Sequence, residues 1–189
     1  MNEGELTARQ YDAMAVEYAA DNLDSPFNAY YERPATMALI GDVSGSRVLE
    51  VGCGAGPLTA CLADYGAVVS ALDVSSAMVR LAEQRLAGHA RVLVADVAQP
   101  LSFAADATFD LVVASLVLHY FENWDRPLRE FRRVLAPDGA VLYSTHHPSM
   151  DWRLHTPDDY FAIRRVSETW SKGCGHYDVT FWCRGRSRR

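Results

Sequence analysis

From about Arg47 onward, short apolar runs alternate with stretches of helical periodicity, the pattern of stacked strand–helix–strand units. Val48-Leu49-Glu50-Val51 predicts a buried strand that ends at a glycine loop. Pro57 then stands where a helix begins, Leu58, Cys61 and Leu62 recur at helical spacing, and Gly66 ends it. Val68 to Leu72 predicts the second strand, closed by Asp73. Ser75 or Ser76 can cap the next helix, with Met78, Val79, Leu81, Ala82 and Leu86 as its apolar face. Arg91 to Ala95 reads as a third strand and Asp110 to Ser115 as a fourth, followed by Leu116 to Tyr120. A helix over Arg126 to Leu135 leads through the turn Pro137-Asp138-Gly139 to a fifth strand, Ala140 to Thr145. Continuously apolar strands separated by helices imply a doubly wound, mostly parallel α/β sheet covered on both faces.

Ahead of this core, Leu6 to Ala20 reads as one helix carrying Tyr11, Met14, Ala15 and Tyr18 on a stripe, and a second helical segment runs from about Tyr30 to Ile40. After it, Trp152 to Trp170 is aromatic and irregular, and Tyr177 to Cys183 alternates like a late strand. There is no internal repeat and no low-complexity linker. The reading is one domain over 1–189, with a helical cap (1–45), a ligand-binding core (46–148) and a substrate-side, late-strand region (149–189).

The formal charge of −6 argues against a general nucleic-acid binder, which needs a basic face to neutralise phosphates. Arg184, Arg186, Arg188 and Arg189 are a local exception, either a solvated tail or a contact for an acidic partner. Cys53, Cys61, Cys174 and Cys183 lack CxxC spacing and a matching histidine pair, so no metal site is expected; they read as reduced, mostly buried thiols. Met1 to Gln10 has no apolar stretch, and the longest apolar run, Leu111 to Leu118, is too short to span a bilayer. A cytoplasmic protein is the expectation.

Glu50-Val51-Gly52-Cys53-Gly54-Ala55-Gly56 lies where open α/β sheets bind ligands, beyond the carboxyl end of a strand. A dinucleotide fingerprint sets its third glycine five residues after its first, and counting from Gly52 that position is Pro57. The third glycine comes one residue early, at Gly56, which disfavours a nicotinamide-dependent oxidoreductase.

Leu49 to Gly56 resembles motif I of the class I S-adenosylmethionine-dependent methyltransferases. Leu72-Asp73-Val74-Ser75 with Met78, Ala95-Asp96-Val97, Phe109 to Ser115, and Arg132 to Gly139 resemble the family's later motifs in order and spacing. The likeness extends over residues 8 to 148, and is greatest to the small-molecule, ubiquinone/menaquinone-biosynthesis type. It implies S-adenosylmethionine as cofactor and a small-molecule methyl acceptor. It implies that Asp73 accepts from both ribose hydroxyls, against the alternative of a helix N-terminal acid. Asp96 would accept from the adenine amino group, with Val97 offering its N–H, or else form a turn. Glu50 orients the cofactor's amino group or steadies the loop. Gly52, Cys53, Gly54, Gly56 and Val74 form the cradle, and Met78 packs on adenine or in the core. Ser115 and Leu116 line the methionine part, and Tyr11 and Tyr18 close over the cofactor or pack in the cap.

A general base is needed only where the acceptor is a hydroxyl or an acidic C–H. His119 and His146 are the candidates, with Tyr120 and His147 beside them. Tyr160, Phe161, Trp170 and Tyr177 could wall a pocket for a flat acceptor or form a packed lid. The family usually follows the late strand with a helix, a Gly-Phe turn and a final antiparallel strand; here Phe181-Trp182-Cys183 runs into Arg184 to Arg189, and the closing helix and strand are expected to be missing. That predicts an unpaired sheet edge, open to homodimerisation, and raises the alternative of a domain that binds the cofactor without turnover.

Overall fold

β-Branched and aliphatic residues at Arg47–Val51 (β1) and Val68–Asp73 (β2) have side chains that suit the pleated, two-sided burial of a central strand. With Arg91–Val94 (β3), Phe109–Ser115 (β4) and Leu135–Ser144 (β5) they form a five-stranded sheet of order β3-β2-β1-β4-β5, every pairing parallel. The computed structural model describes residues 2–147, 149–150, 153 and 161–184. Strand alternation sends Leu49, Val51, Leu72, Val112 and Ala114 to one face, where they meet Phe131 and Val134 of α6 (Asp125–Val134). Val48, Val69, Ala71 and Val113 point to the other, against Leu58 and Leu62 of α4 (Pro57–Asp64) and Ala82 and Leu86 of α5 (Ser76–Leu86). A side chain as fully buried as Phe131 contributes about 2–3 kcal/mol by its removal from water. Ser75 is the cap of α5, its hydroxyl accepting from the Met78 N–H at 3.1 Å.

The cap departs from the expected single helix over Leu6 to Ala20. It is α1 (Glu3–Ala13) and α2 (Ala15–Asp24), broken at Met14, whose φ of −119° and ψ of 13° leave the helical region. Met14 is fully buried beneath Tyr120, Val179 and Phe181, so the break seats an apolar plug that a straight solvent-facing helix would not. The segment expected as a helix over Tyr30 to Ile40 begins with a π turn at Asn28–Glu32 and continues as α3 (Arg33–Ile40).

Strand β5 starts at Leu135 rather than Ala140. Phe109 pairs with Leu135 and Leu111 with Ala140, so the Pro137-Asp138-Gly139 turn is carried as a bulge opposite Asp110. The stretch read as irregular up to Trp170 contains β6 (Ile163–Lys172), paired antiparallel with β7 (Gly175–Arg184) in a separate two-stranded sheet. Its period was hidden because polar residues occupy both faces; its apolar members Val166 and Trp170 pack on the cap, where Lys172 is also paired with Asp21. The hairpin rests on α1, with Gln10 bonded to Thr180 through both side chain and backbone, and Trp182 Nε1 donating to Glu3 at 2.8 Å. Among the described residues, β5 is an edge of the large sheet, and no helix is long and apolar enough to cross a membrane.

Candidate active site

The loop after β1 is folded back on the end of β2. The N–H groups of Gly52 and Cys53 both donate to the Leu72 carbonyl, at 2.8 and 3.0 Å, and Gly54 N–H donates to Asp73 Oδ2 at 2.9 Å. Gly52 has φ +71°, and a Cβ there would lie 2.2 Å from Val117 Cγ2, so only glycine fits. This turn floors an open cavity of about 1080 Å³, mouth included, roofed by α1, α2 and the π turn.

Of the residues singled out above, Tyr11, Tyr18, Glu50, Gly52, Cys53, Gly54, Asp73, Val74, Val97, Ser115 and Leu116 stand on the cavity wall. Asp73 spends one oxygen on Gly54 N–H and the other on Ser75 N–H (2.8 Å), which leaves further lone pairs for a vicinal diol. Burial raises its carboxyl to about 6, against the lowering pull of those two N–H donors. Glu50, 2% exposed, accepts from the Thr59 hydroxyl at 2.6 Å, and burial raises it to about 8. The wall thus carries an acid that burial biases toward its protonated form at neutral pH. Burial also pushes the Cys53 thiol and the Tyr11 and Tyr120 phenols up; the two hydroxyls of Tyr11 and Tyr120 are hydrogen-bonded to each other.

The other expected residues lie elsewhere. Gly56 faces α5, where a Cβ would press on Ala82 and Leu86 at 3.2 and 3.3 Å; it serves helix packing. Met78 is fully buried with Ala15 and Ala55, inside the wall. Asp96 turns its carboxylate to the Ala98 N–H at 2.8 Å and abuts Gly4 of α1, while its neighbours Ala95 and Val97 face the cavity. His119 and His146 stack on each other with ring centroids 4.1 Å apart, behind Tyr120 and edge-on to Phe181. His119 is buried, its Nδ1 lacks a hydrogen-bond partner, and burial holds its imidazole well below the ordinary range. Phe161 is 41% exposed, Trp170 stacks on Tyr18, and Tyr177 packs under the hairpin; Tyr160, Arg186, Arg188 and Arg189 lie outside the described residues.

The sequence reading missed several wall residues. Asn22, Asn28, Glu32 and Arg33 reach the cavity from the cap. Asp12 ties that cap to the core, its Oδ1 accepting from Ser75 Oγ at 2.6 Å and Ala77 N at 2.9 Å. No local periodicity marks a carboxylate that a π turn swings inward, although Arg33-Pro34 does signal a break there.

The methyltransferase domain family matches residues 49–143. Malonyl-acyl-carrier protein O-methyltransferase of Pseudescherichia vulneris is 32% identical over 188 residues, covering 92% of this chain and 72% of that protein. Demethylmenaquinone methyltransferase of Clavibacter sepedonicus is 36% identical over 141 residues, 74% of this chain and 57% of that protein. Among solved structures, the DhpI–SAM–HEP complex superposes with a TM-score of 0.67 at 26% identity, over 97% of this chain and 82% of that one. The family match and these relatives agree with the parallel sheet, and the chain belongs to the class I S-adenosylmethionine-dependent methyltransferases.

Proposed function

We propose that this chain transfers the methyl group of S-adenosylmethionine to a small-molecule or carrier-linked acceptor, using the cavity between the cap and the strand ends. The observation that carries the reading is the union of the Gly52–Gly54 turn, Asp73 and Glu50 on one wall. Asp73 has free lone pairs for the ribose hydroxyls, the glycine turn admits close backbone approach, and Glu50 steadies the loop through its hydrogen bond with Thr59. Bound in this way, the cofactor supplies an activated methyl on a sulfonium; the protein's task is alignment and exclusion of water. Tyr11, Tyr18 and Tyr120 roof the cavity, with Tyr11 edge-on to each of the other two rings at 5.1 and 5.7 Å, and contribute to that exclusion.

Burial keeps the roof phenols protonated and makes His119 a weaker proton acceptor than an ordinary imidazole, which favours an acceptor that attacks without losing a proton to the protein. An already ionised oxygen is such a group, and oxygen is the atom named for the malonyl-acyl-carrier protein relative. A base role for the stacked His119 and His146 is the competing view, and it requires the acceptor to pass behind Tyr120. The edge strand β5, with Val141 and Tyr143 exposed, supports pairing with a second copy. Cys53, Cys61 and Cys174, free thiols, fit a reducing cytoplasm.

Calorimetric titration with S-adenosylhomocysteine, on the wild type and Asp73→Ala, tests the reading. Micromolar binding lost in the variant is the expected result. A folded wild type that binds nothing overturns it.

A further inference from the structure

The cavity end nearest β4 and β5 holds an arrangement that the family motifs do not account for. Parallel register places Ser115 and Ser144 side by side as the last pair of the two strands. Both hydroxyls donate to one oxygen, Glu32 Oε1, at 2.6 and 2.7 Å, and the Thr36 hydroxyl donates to the same oxygen at 2.8 Å. The Ser144 hydroxyl also accepts the Leu116 N–H at 3.0 Å, which directs its own proton toward Glu32. Leu116 holds φ +52°, a left-handed conformation unfavourable for leucine, and stands on the wall beside Glu32. The π turn that delivers Glu32 is itself an uncommon geometry.

Three hydroxyl donors and a strained neighbour fix one carboxylate oxygen in place. A fixed anion on the wall at the end away from Asp73 is a receptor for positive charge. Glu50, the other wall carboxylate in this region, is protonated by burial at neutral pH.

Resting on the methyl-transfer reading, we infer that Glu32 is the anchoring carboxylate for a cationic group of the methyl donor at the β4–β5 end of the cavity. Two positions on the donor carry such charge, the α-ammonium of its amino-acid end and the sulfonium at the reacting centre. The shared chemistry is a compact cation held by a carboxylate whose position is set through Oε1.

The experiment is calorimetric titration of wild type and Glu32→Gln with three probes. S-adenosylhomocysteine carries the ammonium, 5′-methylthioadenosine lacks the amino-acid end, and sinefungin adds an amine where the methyl stands. Glutamine keeps an oxygen for the three hydroxyls and removes the charge, and its melting temperature reports whether the cap stays docked. A loss of about tenfold or more for S-adenosylhomocysteine, with methylthioadenosine unchanged, assigns Glu32 to the α-ammonium. An equal loss confined to sinefungin assigns it to the reacting centre. Wild-type-like affinity for all three probes in folded Glu32→Gln overturns the inference while leaving the cofactor site intact. Failure of the wild type to bind any probe overturns both readings. Ser144→Ala, which keeps the charge and removes one donor, should show the same order of losses at smaller size; the reverse order would count against a preset carboxylate.

Discussion

Replacing Glu50 by glutamine should stabilise the ligand-free protein, and increasingly so as pH rises. Glu50 is 2% exposed and its carboxyl is raised from 4.5 to about 8, chiefly by burial, with the charges of Asp73 and Glu32 adding to it and the Thr59 hydrogen bond opposing. In the unfolded chain the group ionises at its ordinary value. Stability from the protonated form is therefore complete below pH 4.5 and is lost as pH climbs through about 8. At about 1.4 kcal/mol for each tenfold change in proton affinity, the loss approaches ~5 kcal/mol above pH 8 and ~3 kcal/mol at pH 7. Glutamine has the same shape, offers Thr59 an acceptor and carries no proton to lose. In a domain of this size, ~3 kcal/mol corresponds to about 6–12 °C in melting temperature. Thermal denaturation of both proteins from pH 4.5 to 8.5 measures it: the curves should coincide at the acid end and diverge with the variant higher. A variant no more stable than wild type at pH 8 would refute the claim that Glu50 is held protonated.

Gly52→Ala should unfold or severely destabilise the chain, because its Cβ meets Val117 at 2.2 Å on a positive-φ backbone. Gly54→Ala, with φ +53° and open space around its Cβ, should cost only the about 1–2 kcal/mol of left-handed strain. Equal urea midpoints for the two variants would contradict this account. His119 presents the opposite pH sign to Glu50. Its folded-state affinity for protons is depressed, so stability should be lost as pH falls through the ordinary imidazole range near 6.5. His119→Asn should lack that acid limb, read as a smaller change in melting temperature between pH 7.5 and 5.5, and should keep methyl transfer if no base is required.

The parts of this molecule that could be read from its sequence are those governed by local rules. β1, β2 and β4 are mostly apolar because both faces of their central residues are buried, and the glycine turn stands between a strand and a Pro57-initiated helix. Asp73 follows from its place at the end of β2. What escaped is set by contacts distant in sequence. Met14 breaks the cap helix because Tyr120 and Phe181, over a hundred residues later, leave a socket for it. Strand β6 carries polar residues on both faces, so only its partner β7 reveals it. Asp96 and Gly56 match the family's pattern, yet one turns to its own loop and the other to helix α5.

Glu32 is the sharpest case. Nothing within four residues of it identifies a wall carboxylate; its role is created by the register that sets Ser115 beside Ser144 and by a π turn that adds one residue to the helical repeat. The cap therefore does more than cover the cofactor cavity. It contributes one charge that the sheet alone cannot provide, and the sheet in turn supplies the hydroxyls that fix it. Detaching the two should cost the protein its charge recognition before it costs the fold. For that reason, the melting temperature and the probe affinities of Glu32→Gln must be measured on the same preparation: a drop in affinity with an unchanged melting temperature separates recognition from docking, and a parallel drop in both would return Glu32 to a purely structural tie.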